Sequence, residues 1–470
     1  KAEKRSAISV GRVMTCVLGI VVRREREIRN FQKTPFYRII GNFALSNSAS
    51  FVGEWRAVEG SRYFESPLLY KENGFRNRTD AEVCVEMLRQ SAGNATIVNI
   101  EKKREKKNPP LLFNLAELQN TCSKLFKLSP DETLQIVQDL YEKKLVTYPR
   151  TDARVLSSAV AKEITKNLHG LATQSAYLDF TRQIKQHGLY ATIAKSRYTD
   201  DKQITDHYAI IPTGQGFSVL SSCSEEARAV YDCIVRRFLA VFFPPAEYRK
   251  VTIELIVDTE HFFASFKLME SPGYLVVAGA DAAKSDDDKQ PDDMVAAGQF
   301  NLVSALRKGS VMPVAGYEIK DGETSPPKRF NSGSLILAME NAGQLIEDEE
   351  LRAHIKGSGI GTSATRAEIL SKLVKINYLN LNKKTQIVTP AKLGEVVYEV
   401  VNASIRSLLN AELTASWEKG LTMVANGDIG EEEYMTKLEA FVSRQTSAVK
   451  NLNNRNALSQ VFAEVESYYK

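Results

Sequence analysis

The stretch "LVTYPRTDARVLS" at residues 145–157 is where the fold and the chemistry of this 470-residue chain can be read together. Tyr148 and Arg150 stand two positions apart with Pro149 between them, and in an extended segment such residues share one face. We therefore expect a phenolic hydroxyl and a guanidinium to face the same ligand. A phosphodiester fits, because the phenolic oxygen can attack phosphorus while arginine holds the non-bridging oxygens.

The stretch also has a purely structural interpretation. A free tyrosine has a pKa of about 10, so a nucleophilic Tyr148 needs nearby positive charge, which Arg150 and Arg154 could supply. Alternatively, Tyr148 is a buried residue at the edge of a winged helix, with an arginine packed on its ring. The motif "TYPRTD" taken alone leaves both interpretations open.

The composition is typical of a globular protein with several domains, since 43% of the residues are hydrophobic and 25% are charged. No apolar run approaches the roughly 20 residues of a membrane span, which predicts no membrane partner and a cytoplasmic location. The five cysteines form no CxxC pair, which argues against a zinc ribbon. Because the sequence begins at Lys1 without a methionine, we expect a fragment of a longer protein.

The hydrophobic period changes from helical to alternating and back, which predicts an α+β multidomain chain with nested insertions. We expect one helical domain split between the two ends, one β domain interrupted by a second helical domain, and Tyr148 in that second helical domain. The predicted segments are 1–33 and 331–470 for the split helical domain, 34–101 and 246–330 for the β domain, and 102–245 for the inserted domain.

Two segments repeat a similar pattern. "QIVQDLYEKKLV" (135–146) and "EILSKLVKINYL" (368–379) each combine a helix with a short extended stretch. They are either two winged-helix units or two unrelated amphipathic helices.

Several motifs in this order resemble those of type IA DNA topoisomerases. "TYPRTD" resembles the active-site motif of that family, and "DHYAIIPT" (206–213) resembles its histidine-bearing stretch. Further similar segments are "SVGRVMTCVLGIVVRREREI" (9–28), "SPPKRFNSGSLI" (325–336), "GIGTSATRAEIL" (359–370) and "LTASWEKGLTMVANG" (413–427). The segments "AIIPT" and "ATRAEIL" are more similar to those of the topoisomerase III branch than to those of the topoisomerase I branch. The lack of zinc-type cysteine pairs in the sequence favours the same branch.

The resemblance implies catalytic roles for three residues. Tyr148 would be the nucleophile that forms a 5′-phosphotyrosine bond and frees a 3′-hydroxyl. Arg150 would stabilise the transition state, and His207 would contact the phosphate of the scissile strand. The implied fold is a toroidal core with winged-helix-like helical domains and a β arch.

The resemblance also implies a groove for single-stranded DNA. Arg12 would line the groove that leads to the active site. Thr362, Thr365 and Arg366 would lie beside it at the start of a helix, where backbone N–H groups favour phosphate. Three positions depart from the family pattern, namely Met14, Cys16 and Ser332, and the first of them could weaken a base or sugar contact.

The resemblance implies a Mg²⁺ cofactor bound by carboxylates of an N-terminal TOPRIM domain. We find no apolar strand ending in DxDxE in this chain, because the acidic segments "SDDDKQ" (285–290) and "IEDEEL" (346–351) lack the strand or the spacing. We therefore expect no metal ligands here and expect Mg²⁺ only in the intact enzyme.

The implied activity is ATP-independent DNA strand passage that favours decatenation over relaxation. We expect a monomer that binds single-stranded DNA, with a helicase as a candidate partner, and expect this chain alone to bind DNA but to cleave little. The alternative is a non-catalytic scaffold, binding single-stranded DNA or a partner protein, that has lost the metal domain in evolution.

Overall fold

The computed structural model describes residues 8–46, 49–91, 93–204, 206–279, 293–345, 359–453 and 455–469. Both acidic segments considered above, 285–290 and 346–351, lie outside this part of the chain.

The chain divides into two compact units. The helical unit consists of Lys1–Asn30, Leu111–Phe242 and Pro327–Lys470, and the sheet unit of Phe31–Pro110 and Phe243–Pro326. The α+β multidomain class predicted from the sequence is confirmed. The limits of the five predicted segments stay a prediction.

Most of the described helices of eight residues or more belong to the helical unit, whereas two of them, at residues 78–90 and 297–305, belong to the sheet unit. In chain order they are α1 (Arg12–Arg29), α2 (Arg78–Gln90), α3 (Leu115–Phe126), α4 (Pro130–Glu142), α5 (Ser158–Leu171), α6 (Ser175–Gln186), α7 (Glu225–Ala240), α8 (Ala297–Ala305), α9 (Ser332–Glu340), α10 (Arg366–Lys375), α11 (Lys392–Ser404), α12 (Ala411–Asn426), α13 (Glu431–Lys450) and α14 (Arg455–Ser467). None of the described helices is both long enough and apolar enough to pass through a membrane.

The strands lie mainly in the sheet unit. They are β1 (Pro35–Ala44), β2 (Ser50–Arg56), β3 (Leu69–Lys71), β4 (Gly74–Phe75), β5 (Asn94–Lys107), β6 (Ala246–Val257), β7 (Glu260–Ser271), β8 (Asp293–Met294), β9 (Val311–Glu323), β10 (Leu379–Leu381) and β11 (Val388–Pro390). The last two strands pair with each other between α10 and α11, in the helical unit.

The sheet of the sheet unit closes on itself. Its order is β2-β7-β6-β5-β9-β1-β4-β3, and β2 also pairs with β1. Every pairing except that of the short β8 is antiparallel. Buried aromatic side chains fill the interior, with Phe43 and Phe262 packed edge to face at 5.4 Å between ring centroids.

Helix α1 forms the centre of the helical unit. Its residues from Met14 to Val22 are buried, and they belong to the same core as α9, α10 and α11. Met14 and Cys16 are therefore core residues, which explains why apolar side chains are suited to these two departures from the family pattern. Burial raises the pKa of the Cys16 thiol to about 12.

Helix α4 begins with a capping box. Ser129 accepts a hydrogen bond from the backbone N–H of Glu132, the Glu132 carboxylate accepts one from the backbone N–H of Ser129, and Pro130 occupies the first helical position. The helix ends at Glu142. Lys144 then adopts a positive φ of 60°, and the chain turns there into the segment that carries Tyr148.

Candidate active site

The tyrosine segment is held by the stretch that carries His207. Val146 and Pro212 form an antiparallel bridge. The backbone N–H of Thr147 donates to the carbonyl of Ile211 at 3.0 Å, and the N–H of Ile211 donates to the Thr147 hydroxyl at 2.9 Å. Two segments about sixty residues apart in sequence therefore form one wall around Tyr148.

The backbone after Tyr148 is not extended. The N–H of Thr151 donates to the carbonyl of Pro149 at 3.0 Å, which closes a three-residue turn around Arg150. The extended backbone predicted through Arg150 is therefore wrong, because the chain turns at this residue. That Tyr148 and Arg150 act on one ligand stays a prediction. Tyr148 is half-buried, whereas Arg150 is exposed and does not line the pocket around the tyrosine.

A pocket of about 420 Å³ opens beside Tyr148. The His207 ring lies 4.3 Å from the tyrosine ring, centroid to centroid, and Tyr141 packs edge-on against Tyr148 at 5.5 Å. The lining residues are Tyr141, Lys144, Val146, Thr147, Tyr148, His207, Tyr208, Thr213 and Gln215. The pocket is aromatic and polar, with one lysine and no carboxylate, so its lining suits an anionic ligand.

The two arginines that could assist Tyr148 differ in their partners. Arg154 lies 2.9 Å from the Glu117 carboxylate and donates to the carbonyl of Leu112, so its charge is already compensated. Arg150 is exposed and has no ion-pair partner among the residues that the structure describes. Arg150 can therefore bind a phosphate without first breaking a salt bridge.

The described residues do not fit a magnesium site. Across that part of the chain, no group of three or more His, Cys, Asp or Glu side chains is placed to hold a metal ion. The pocket around Tyr148 offers only a histidine, hydroxyls, an amide and a lysine, whereas Mg²⁺ prefers carboxylate and water oxygens.

The residues predicted to bind DNA have different environments. Arg12 is partly exposed and pairs with Glu418 at 2.8 Å. Thr362 and Thr365 are exposed and hydrogen-bonded to each other, directly before the start of α10. Arg366 is only 1% exposed, and its Nη1 lies 2.8 Å from Asp152. The structure thus joins Arg366 to the "TYPRTD" segment and leaves the two threonines accessible.

Sequence reasoning missed several residues that shape this site. Tyr141 was assigned to an amphipathic helix, yet its position seven residues before Tyr148, at the end of α4, brings the two rings together. Asp152 is the last residue of "TYPRTD", and the sequence alone predicts no role for it. No sequence signal connects it to Arg366, because the contact joins residues 214 positions apart.

The buried Glu340 predicts a stability that depends on pH. Asn114 Nδ2 donates to the Glu340 carboxylate at 2.6 Å, and burial raises the pKa of Glu340 above its ordinary value, although Arg366 opposes the shift. The folded state therefore binds this proton more readily than the unfolded state, so the contribution of Glu340 to stability falls as pH rises through the raised pKa.

We expect Glu340→Gln to remove that decline, since glutamine stays neutral and can still accept from Asn114. Thermal unfolding midpoints at about pH 5 and about pH 7 measure the effect. Relative to the wild type, the variant should gain stability at the higher pH. A variant that instead loses more stability at the higher pH would show that the ionised carboxylate is favourable here.

Comparisons with known proteins agree with the motifs. A family model described as DNA topoisomerase matches residues 1–436. DNA topoisomerase 3 of Bacillus subtilis (strain 168) is 33% identical over 449 residues, which is 94% of this chain and 57% of that protein. DNA topoisomerase 3 of Bacillus licheniformis is 31% identical over 453 residues, covering 95% of this chain and 57% of that protein. The predicted similarity to topoisomerase III is confirmed.

A solved structure supports the fold. Full-length topoisomerase I from Thermotoga maritima matches with a TM-score of 0.63 and 22% identity, over 93% of this chain and 63% of that one. The chain spans about 57% of the length of the curated relatives described above. By the extent of the family match and these relatives, the chain belongs to the type IA DNA topoisomerases.

Proposed function

We propose that this chain carries the strand-cleaving tyrosine of an enzyme that changes DNA topology. Tyr148 attacks a phosphodiester of single-stranded DNA and becomes linked to the 5′-phosphate, while the 3′-oxygen leaves and takes up a proton. Another strand passes through the break, and attack by the 3′-hydroxyl on the phosphotyrosine then restores the DNA and frees Tyr148. One phosphodiester replaces another at each step, so the reaction needs no ATP.

The observation that carries the proposal is the environment of Tyr148. The tyrosine is half-buried beside a pocket without carboxylates, and the His207 ring lies 4.3 Å from its own ring. A strand entering the pocket would meet Lys144 and His207 and would avoid repulsion by an acid. Arg150, exposed at the neighbouring turn, is close in sequence and free to hold non-bridging oxygens.

DNA contacts outside the pocket are part of the proposal. Thr362 and Thr365 present hydroxyls at the N-terminal end of α10, where backbone N–H groups also favour a phosphate. Arg12 is partly exposed and can exchange its bond with Glu418 for one with the DNA backbone. Of the four predicted DNA-binding residues, these three are the ones that solvent reaches.

The remaining expectations are proposed on the family likeness alone. They are a cytoplasmic location, because DNA is the substrate, a monomeric state, a preference for decatenation, and a helicase as a partner. Mg²⁺ belongs to the same group, and we propose that carboxylates of a TOPRIM domain, not residues of this chain, bind it. We further propose that residues 1–470 alone bind DNA but cleave it little. A cleavage assay therefore needs the protein translated from the full reading frame.

The test uses the protein translated from the full reading frame that contains these residues, with Mg²⁺ and a single-stranded oligonucleotide labelled at one end. After denaturation, a 3′-end label should migrate with the protein, while a 5′-end label should appear in a shortened free fragment. A protein-linked 5′-label would indicate the opposite polarity and contradict the proposal. DNA binding without any adduct would replace it with the non-catalytic scaffold.

A further inference from the structure

An ion pair between a buried arginine and a partly exposed aspartate joins α10 to the segment that carries Tyr148. Arg366 is the first residue of α10 and is 1% exposed. Its Nη1 lies 2.8 Å from Asp152 Oδ1 and 4.0 Å from a Glu340 carboxylate oxygen. Asp152 is the last residue of "TYPRTD". A single guanidinium is thus held between an acid of the tyrosine motif and an acid at the end of α9.

Thr151, the neighbour of Asp152 along the chain, is hydrogen-bonded to residues on both sides of the reacting tyrosine. The Thr151 N–H closes the turn on Pro149 at 3.0 Å. The Thr151 hydroxyl donates to the carbonyl of His207 at 2.8 Å, and the His207 ring packs on Tyr148. A shift of Asp152 therefore moves both the turn that follows the tyrosine and the histidine beside it.

The burial of Arg366 argues against a direct contact with DNA. A phosphate could reach this guanidinium only if the ion pair with Asp152 opened. The guanidinium is 1% exposed, so the phosphate would also have to enter the space around it, and the Asp152 carboxylate would lose its partner. Thr362 and Thr365 lie on the exposed approach to the same helix. The two threonines proposed to bind phosphate are therefore separate from the buried Arg366 that follows them.

We propose that Arg366 is a positioning residue of the cleavage reaction, which holds the Tyr148 segment in its reactive geometry through Asp152 and does not contact DNA. The inference rests on the proposed function. It assigns two roles to the start of α10. Thr362 and Thr365, which precede the helix, face the DNA, and Arg366, its first residue, positions Tyr148. DNA bound at Thr362 and Thr365 is thereby coupled to the placement of Tyr148.

The test compares Arg366→Gln, Asp152→Asn and the double variant, in the same full-length protein. Asp179→Asn is the control, because Asp179 forms an ion pair with Arg182 in the helical unit but is 81% exposed. Three quantities are measured for each protein. They are the Kd for a single-stranded oligonucleotide by fluorescence anisotropy, the rate of adduct formation at saturating DNA, and the thermal midpoint.

We expect each single variant to form the adduct more slowly on the order of 10²-fold, because a small misplacement of a nucleophile has that effect. The double variant should be no slower than the single ones, since both remove one shared interaction. The Kd should not change. Arg366→Lys should recover part of the rate, because its charge still faces Asp152.

Hydrogen exchange gives a readout that does not depend on activity. Peptides covering residues 145–157 should exchange faster in Arg366→Gln and Asp152→Asn than in the wild type and the control. Unchanged exchange in both variants would contradict the positioning role, because the segment would then be held without the ion pair.

Other results would overturn the inference in distinguishable ways. A Kd that weakens in Arg366→Gln but not in Asp152→Asn would make Arg366 a DNA contact. A lower thermal midpoint with unchanged adduct rates would make the ion pair merely structural. Absence of the adduct in the wild type would refute the proposed function itself, before any variant is compared.

Discussion

Replacing Tyr148 with phenylalanine should abolish the covalent protein–DNA adduct while leaving DNA binding intact. Phenylalanine keeps the ring that packs on His207 and Tyr141 and removes only the nucleophilic oxygen. We expect adduct formation to fall by about 10³-fold or more, as is typical when a nucleophile is removed. The adduct is measured after denaturation with a 3′-labelled oligonucleotide, and binding is measured separately by anisotropy.

Tyr141→Phe is the matched control, because Tyr141 is a second tyrosine lining the same pocket. Its hydroxyl is not needed if Tyr148 is the nucleophile, so this variant should still form the adduct. If Tyr141→Phe lost the adduct and Tyr148→Phe retained it, the nucleophile would be Tyr141 and our account would be wrong. Loss of DNA binding in Tyr148→Phe would indicate damage to the pocket and not to the chemistry.

The second large effect is expected at Gly170. A Cβ atom at this position of α5 would lie 1.9 Å from the carbonyl oxygen of Gly214, far inside any normal contact. Gly214 has a φ of +77°. It lies between Thr213 and Gln215, and both of these residues line the pocket beside Tyr148. Gly170→Ala must therefore push this wall of the pocket away from the helix.

We expect Gly170→Ala to destabilise the helical unit by about 1–3 kcal/mol, the usual effect of overpacking. We also expect it to reduce adduct formation, because Thr213 and Gln215 are displaced. Thermal unfolding and the adduct assay measure the two effects. Gly298→Ala is the control, since a Cβ there meets nothing within 4 Å and α8 should tolerate it. Equal stability of the two variants would refute the close approach of Gly170 to Gly214.

The sequence was most informative where local signals determine structure. The change of hydrophobic period along the chain predicted the α+β class, and the capping box that starts α4 lies within four consecutive residues. The motif "TYPRTD" led to the pocket beside Tyr148, because a few residue types in a fixed order restrict the chemistry strongly. In each case the interacting residues are close together in sequence.

Long-range packing is what the sequence could not supply. The segment after Tyr148 is held by the Thr151 hydroxyl, which donates to the carbonyl of His207, 56 positions away. The burial of Arg366 depends on an aspartate 214 positions away. An arginine at a helix start is normally read as a phosphate ligand, and only the packing of α10 on the tyrosine segment shows its other partner.

Mass spectrometry of the trapped adduct tests the central claim most directly. The denatured protein–DNA product is digested with nuclease and protease, and the peptide that retains a phosphonucleotide is sequenced. Our account predicts a nucleotide attached through its 5′-phosphate to Tyr148. Attachment to Tyr141 or to any other residue, or the absence of a modified peptide from a protein that binds the DNA, would contradict it.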